Sequence, residues 1–383
     1  MYYVTYAWES SITNPYINMS DEEFMVSIKQ TNYSAEMSLW REMSLGEMIV
    51  KIVVMALVFL TAVTGNFLVP IVLLRERRLR TVTHIFLVNL TVADMLVALS
   101  TTWVHLIDDF TSRWILGAFI CKFSTLTQIL AFTASVLTMT AMSLERFHGV
   151  VTPFIFINHK KRKVLVAVGM IWVISLAVAM PSTILTEVKV REWANHNEVF
   201  CHTKWVTSSF TGNAVHRKVY AVIVAFVLYG LPMLVMTVVY AAIILKIKLR
   251  QPDMFELNPK EQKRAHKKRR KVTAMLIVLL TVFTLCWLPF QCVMLYQEFH
   301  YSGSGQEVTA TLRAVQIYCK YMAYANSAFN PLIIVCFSQK IRAVGKGNTR
   351  TALLAYPKAC MEHVPHFILS DTNSDHEGAH ISV

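Results

Sequence analysis

Seven stretches of the chain, near 48–74, 83–108, 119–147, 163–186, 217–247, 271–297 and 310–337, are apolar over lengths suited to crossing a bilayer. About 20 helical residues cover the roughly 30 Å of hydrocarbon in a membrane. In lipid every backbone polar group must be satisfied internally, so runs of this kind fold as helices packed side by side. The composition agrees: 55% of the 383 residues are apolar and 16% charged, and the mean hydropathy is +0.44. The expected fold class is therefore an all-α membrane protein, a seven-transmembrane helix bundle. It is expected to be followed by a short amphipathic helix at "SQKIRAVGK".

Lysines and arginines set the expected orientation. "RERRLRT" follows the first span, "HKKRK" the third, and "KRAHKKRRK" precedes the sixth. By the positive-inside rule these connections face the cytoplasm and the N-terminus lies outside. The leading segment is acidic and carries two glycosylation sequons, at Asn18 and Asn32. The expected organisation is an extracellular segment over 1–47, a spanning domain over 48–337, the amphipathic helix over 338–347 and a disordered cytoplasmic tail over 348–383. A net charge of +13 raises nucleic acid as a partner, but the basic residues gather at span ends, where they signal topology and meet anionic lipid. "MYYVTYAWESS" lacks the basic start and apolar core of a cleavable leader, so the first span is expected to direct insertion.

Of the seven cysteines, only Cys121 and Cys201 fall on the outer side away from a span interior, and they are the expected disulfide. No metal-ligand spacing competes with it. Polar residues inside spans are functional candidates, because burying them in hydrocarbon is costly. Asp94 is the one carboxylate near the middle of a span; Asn66, Ser135, Asn326, Ser327 and Asn330 lie at comparable depth. Together they would form a hydrated cluster suited to a monovalent cation or a proton. Alternatively, each joins two helices by a hydrogen bond. At the inner end of the third span, Glu145 and Arg146 form a charge pair.

Gly65-Asn66, "NLTVAD", Cys121 with "ERF", Trp172, Pro232 with Tyr240, "FTLCWLP" and "NP" stand in that order along the spans. In these residues the chain resembles a rhodopsin-like (class A) G-protein-coupled receptor from about residue 48 to 345. The resemblance implies a receptor and not an enzyme. It implies an allosteric sodium ion, with no other cofactor or metal, held by Asp94, Ser135, Asn326, Ser327 and Asn330. Trp287 would be the rotamer switch, and Val136, Pro232 and Phe283 the core that repacks on activation. Tyr240, Asn330 and Pro331 belong to the same switch, while Glu145 and Arg146 face a heterotrimeric G protein. One departure stands out: family members carry tyrosine three residues after this proline, where the present chain has Ile334. That substitution raises the alternative of a peptide receptor with weak or atypical coupling.

The third span carries Gln128 where amine receptors carry aspartate, and Tyr324 occupies the position of the retinal-bearing lysine of opsins. An amine receptor and an opsin-like photoreceptor are thus weaker readings. Gln128, "RWILGAFICK" and "SLERFHGVVTPF" are most similar to the group of receptors for RFamide peptides, neuropeptide FF, orexin and neuropeptide Y. The implied ligand is an extracellular, C-terminally amidated peptide. Gln128 would bind its carboxamide and Glu298 an arginine, with His105, Thr125, Gln291, Met294, Lys320 and Tyr324 lining the same pocket. Glu298 as a solvated rim charge is the alternative. The loop from Thr186 to Trp205 is expected to form a hairpin over the entrance. Ser370, Thr372 and Ser374 in the tail are candidate kinase and arrestin sites, and the expected location is the plasma membrane.

Overall fold

The computed structural model describes residues 44–75, 82–111, 113–151, 161–195, 197–203, 212–249, 259–300 and 309–337, together with Val26, Lys29 and Gln30. Seven spans form a bundle. The first is Leu45–Arg75. The second runs as Val82–Val97, a π turn at Ala98–Thr102 and Trp103–Phe110. Gly117–Val151 is the third and Lys161–Ile184 the fourth. Gly212–Ala225, a π turn at Phe226–Gly230 and Leu231–Leu249 make the fifth, Pro259–His300 the sixth and Ala310–Phe337 the seventh. The third span sits at the centre, packed against the second, fourth and fifth.

Among the described residues, six helices are long and apolar enough to cross a membrane. The seventh span is long enough as well, 28 residues. It carries Arg313, Lys320, Asn326 and Asn330, of which the two asparagines are buried within the bundle. Leu57, Leu60, Val173, Leu234, Val238 and Leu285 point outward and stay exposed, as befits side chains that meet lipid.

The sixth span departs most from the hydropathy reading, starting at Pro259 and not near 271. The added turns are "PKEQKRAHKKRR"; apart from the proline at the first helical position and His266, they are lysine, glutamate, glutamine, arginine and alanine, strong helix formers whose mostly charged side chains hide them from an apolar scan. The two π turns have different local origins. In the fifth span Pro232 has no N–H to give Leu228, and Leu231 N–H reaches back to Phe226 O, five residues earlier. In the second span Thr102 Oγ1 donates to Val97 O at 3.3 Å, also five residues back, and Ser100 donates to Leu96 O. The extra residue per turn rotates everything beyond it, and that rotation aims His105 and Asp108 into the bundle, where both are buried.

The expected amphipathic helix at 338–347, the sequons at Asn18 and Asn32 and the tail lie outside the described residues.

Candidate ligand cavity and its polar surroundings

Gly117 opens the third span with φ +75°, a conformation that favours glycine. The turn brings Trp114 back over the helix, so that its Nε1 donates to Gly117 O at 2.9 Å and its backbone N–H to Val199 O at 2.6 Å. Val199 belongs to a two-stranded antiparallel hairpin, β1 (Thr186–Glu192) with β2 (Asn197–Thr203). Cys201 in β2 is joined to Cys121 of the third span. Trp114, Val104, Cys121 and Cys201 pack as one buried cluster, and the hairpin is thereby held across this end of the bundle.

Below the hairpin lies a cavity of about 820 Å³, counted with its open mouth. Phe132, Trp287, Phe290, Ile129, Val224 and Leu228 make it apolar, and Gln128, Gln291 and Glu298 give it polar groups. Glu298 is 2% exposed and stands in the cavity wall. Gln128, Gln291, Met294 and Glu298 line this cavity.

His105, Thr125, Lys320 and Tyr324 are not among the residues that line this cavity. Thr125 is buried and spends its hydroxyl on Cys121 O one turn back, at 3.0 Å. The other three stand behind Gln128. Lys320 Nζ is 2.7 Å from His105 Nδ1, His105 Nε2 is 3.3 Å from Gln128 Oε1, and Tyr324 OH donates to the same oxygen at 3.2 Å. Register along a helix fixes depth. Which face a side chain occupies depends on helix rotation, and here the π turn in the second span and the partners across the bundle decide it.

A second polar group at the same end escaped the sequence reading. Lys51 of the first span bridges Asp109 of the second at 3.0 Å and Glu47 at 3.2 Å. Tyr321 OH donates to Asp109 at 2.7 Å and Tyr318 OH to Glu47 at 3.0 Å. Asp108 is buried nearby, and Lys320 lies in the field of both aspartates. The available signal was a lysine in the first turn of one apolar span and "DD" in the last turn of the next, two charges at one depth that burial would force together.

Asp94, Asn66, Ser135, Asn326, Ser327 and Asn330 are all buried deeper in the bundle. Asn330 Nδ2 donates to Asp94 Oδ2 at 2.8 Å. Asn66 Nδ2 donates to Ala62 O at 2.9 Å and to Ser327 O at 2.8 Å. Among the described residues, the amide oxygens of Asn66, Asn326 and Asn330 are buried without a hydrogen-bond partner. Acceptors of this kind around a carboxylate suit a hard monovalent cation, which needs oxygen ligands.

Above this layer the aromatic rings stack. Phe132 lies 4.4 Å from Trp287 between centroids, and Phe283 contacts Phe132, Trp287 and Tyr229 at 6.1, 6.0 and 6.3 Å. Val136 and Phe283 are each 1% exposed, while Pro232 is half-buried. At the opposite end of the bundle from the hairpin, Arg146 Nε pairs with Glu145 Oε2 at 2.7 Å, and Thr83 Oγ1 donates to the same carboxylate at 3.2 Å. Tyr240 OH accepts from Ser143 Oγ at 2.9 Å, and Ile334 is buried in the core cluster that also holds Tyr240.

A family model described as 7 transmembrane receptor (rhodopsin family) matches residues 65–334. The pyroglutamylated RF-amide peptide receptor of Rattus norvegicus is 29% identical over 296 residues, covering 75% of this chain and 66% of that receptor. Neuropeptide FF receptor 1 of Homo sapiens is 30% identical over 317 residues, 80% of this chain and 71% of the relative. A QRFP-like peptide receptor of Branchiostoma floridae is 27% identical over 304 residues, 79% and 77% of the two chains.

Proposed function

Since the chain belongs to the rhodopsin family of seven-transmembrane receptors, we propose that it is a plasma-membrane receptor for an extracellular, C-terminally amidated peptide of the RFamide kind. The N-terminus and the hairpin face outward, and the cavity beneath the hairpin takes the peptide terminus. One observation carries the reading: a buried carboxylate, Glu298, and a carboxamide, Gln128, share a cavity whose remaining wall is largely aromatic and aliphatic. Arginine answers the first, a terminal carboxamide the second and an aromatic side chain the third. The printed names of the relatives, receptors for RF-amide peptides and for neuropeptide FF, support the same ligand class.

Binding biases the bundle toward a state in which the sixth span moves outward and a heterotrimeric G protein meets Arg146 and Glu145. The ligand achieves this only by binding that state better than the resting one. Phe132, Phe283 and Trp287 transmit the shift, with Val136 and Pro232 repacking around them, and Tyr240, Asn330 and Pro331 complete the switch. Asp94, Ser135, Asn326, Ser327 and Asn330 would hold a sodium ion, whose charge compensates the buried carboxylate and stabilises the resting arrangement. Receptor kinases and arrestin act on the tail, and lipid surrounds the apolar belt.

A second reading has its own observation. The Tyr240 hydroxyl is engaged by Ser143, and Ile334 offers it no polar partner, so the active state lacks one polar link and couples weakly. Calcium and cyclic-AMP signalling in cells challenged with amidated peptides tests both readings. A response that falls in Gln128→Ala supports the receptor reading. Little response from the native chain with strong signalling from Ile334→Tyr supports weak coupling, and silence from both the native chain and Ile334→Tyr to every peptide contradicts the ligand class.

A further inference from the structure

Gln128 has one acceptor and one donor group, and its neighbours permit only one orientation. An ammonium has three donors and no acceptor. Lys320 Nζ therefore donates to His105 Nδ1 across their 2.7 Å contact, and the imidazole proton sits on Nε2. From there it is donated to Gln128 Oε1 at 3.3 Å, the oxygen that also accepts from Tyr324 OH at 3.2 Å. The imidazole is fixed in place, stacked on the Tyr324 ring at 5.5 Å and 15° and buried to 5% exposure. Both donors thus converge on Oε1. Among the described residues Gln128 Nε2 forms no hydrogen bond, nor is it among the sealed-off polar atoms, and Gln128 lines the cavity.

We propose that Lys320 and His105 are positioning residues that lock Gln128 as a hydrogen-bond donor toward the cavity, so that the cavity selects a ligand terminus by its carbonyl oxygen and not by its amino group. The proposal rests on the peptide reading above and deepens it. In that arrangement His105, Lys320 and Tyr324 touch no ligand, yet they decide which ligand end is read. A relay of fixed donors also keeps Gln128 from turning over, a freedom an isolated glutamine side chain retains because its amide ends have similar shape. A peptide carboxamide and the methyl ester of the same peptide both place a carbonyl oxygen there, the ester's a somewhat weaker acceptor, so the native cavity accepts both with only a modest loss for the ester.

The test has a part that needs no ligand. Thermal unfolding of the detergent-solubilised full chain is measured for His105→Phe, which keeps the ring stack, for Gln128→Leu and for the pair. If the residues form one relay, the Tm shift of the pair is smaller than the sum of the single shifts; strictly additive shifts overturn it. The ligand part compares the Kd of an arginine-phenylalanine-amide peptide with that of its methyl ester. The native ratio is expected within about threefold, rising to about tenfold in His105→Phe/Tyr324→Phe, where the freed oxygen of Gln128 accepts from the amide and not from the ester. Lys320→Met, which leaves the imidazole tautomer unset, is expected to shift the ratio in the same direction. A native ester weaker than the amide by more than about tenfold, or a ratio unmoved in all variants, overturns the donor assignment. If neither peptide binds the native chain while the Tm shifts are coupled, the relay stands and the peptide reading falls.

Discussion

Pro331 removes an N–H from the interior of the seventh span, and Ser327, four residues earlier, is the carbonyl that loses its helical donor. Asn66 of the first span supplies the replacement through Nδ2 at 2.8 Å. The approach is close because the residue beside it is Gly65: a Cβ there would stand 2.6 Å from Pro331 Cγ and 2.7 Å from Pro331 Cβ. Gly65, Asn66 and Pro331 are thus one device, in which glycine admits the proline ring and asparagine repairs the helix. Gly65→Ala is expected to push the first and seventh spans apart and to destabilise the receptor by about 1–3 kcal/mol. Thermal unfolding in detergent measures this, and an unchanged Tm would contradict the close contact. The sequence showed Asn66, Ser327 and Asn330 at comparable depth. The division of labour among Gly65, Asn66 and Pro331 was not legible there, because it depends on which carbonyl the proline strands and which side chain can reach it.

At the scale of elements, spans and hairpin could be read from hydropathy and from the two outer cysteines because both are properties of local sequence and topology. The π turns and the basic start of the sixth span could not, one arising from tertiary hydrogen bonding and the other from charged helix formers. The same limit explains the cavity. Gln291, Met294 and Glu298 line it because the sixth span keeps regular helix geometry above Pro289, whereas His105, beyond the π turn, faces Gln128 and Lys320. The link between hairpin and third span closes 80 residues of chain, and in the chain-entropy picture a loop of that size contributes on the order of 4 kcal/mol. Cys121→Ser and Cys201→Ser are each expected to lower surface expression and ligand binding strongly, and the double variant no further. A double variant clearly worse than either single one would show that each cysteine acts separately.

For the molecule as a whole, a bundle with three polar levels emerges: the Lys51 and Gln128 networks near the hairpin, the Asp94 layer in the middle, and the Glu145–Arg146 pair at the far end. Each links at least two spans through side-chain hydrogen bonds or ion pairs: Lys51 with Asp109 and Gln128 with Tyr324 near the hairpin, Asn330 with Asp94 in the middle, and Glu145 with Thr83 at the far end. The fold was legible because lipid restricts the chain to few solutions. Charges close to span ends were harder to judge, since the same lysine or aspartate can face water or a partner; Lys51, Asp108 and Asp109 took the second course. In the proposed binding mode Glu298 receives the arginine of an amidated peptide. The most direct test of this pairing is a binding cycle with two receptors, native and Glu298→Ala, and two peptides, one ending in arginine-phenylalanine-amide and one with citrulline, neutral and nearly isosteric, in place of the arginine. Citrulline is expected to weaken binding to the native receptor by about 10-fold to 100-fold and to leave binding to Glu298→Ala nearly unchanged, in keeping with a charge-assisted pair of about 1.5–3 kcal/mol. Equal losses in both receptors would contradict it.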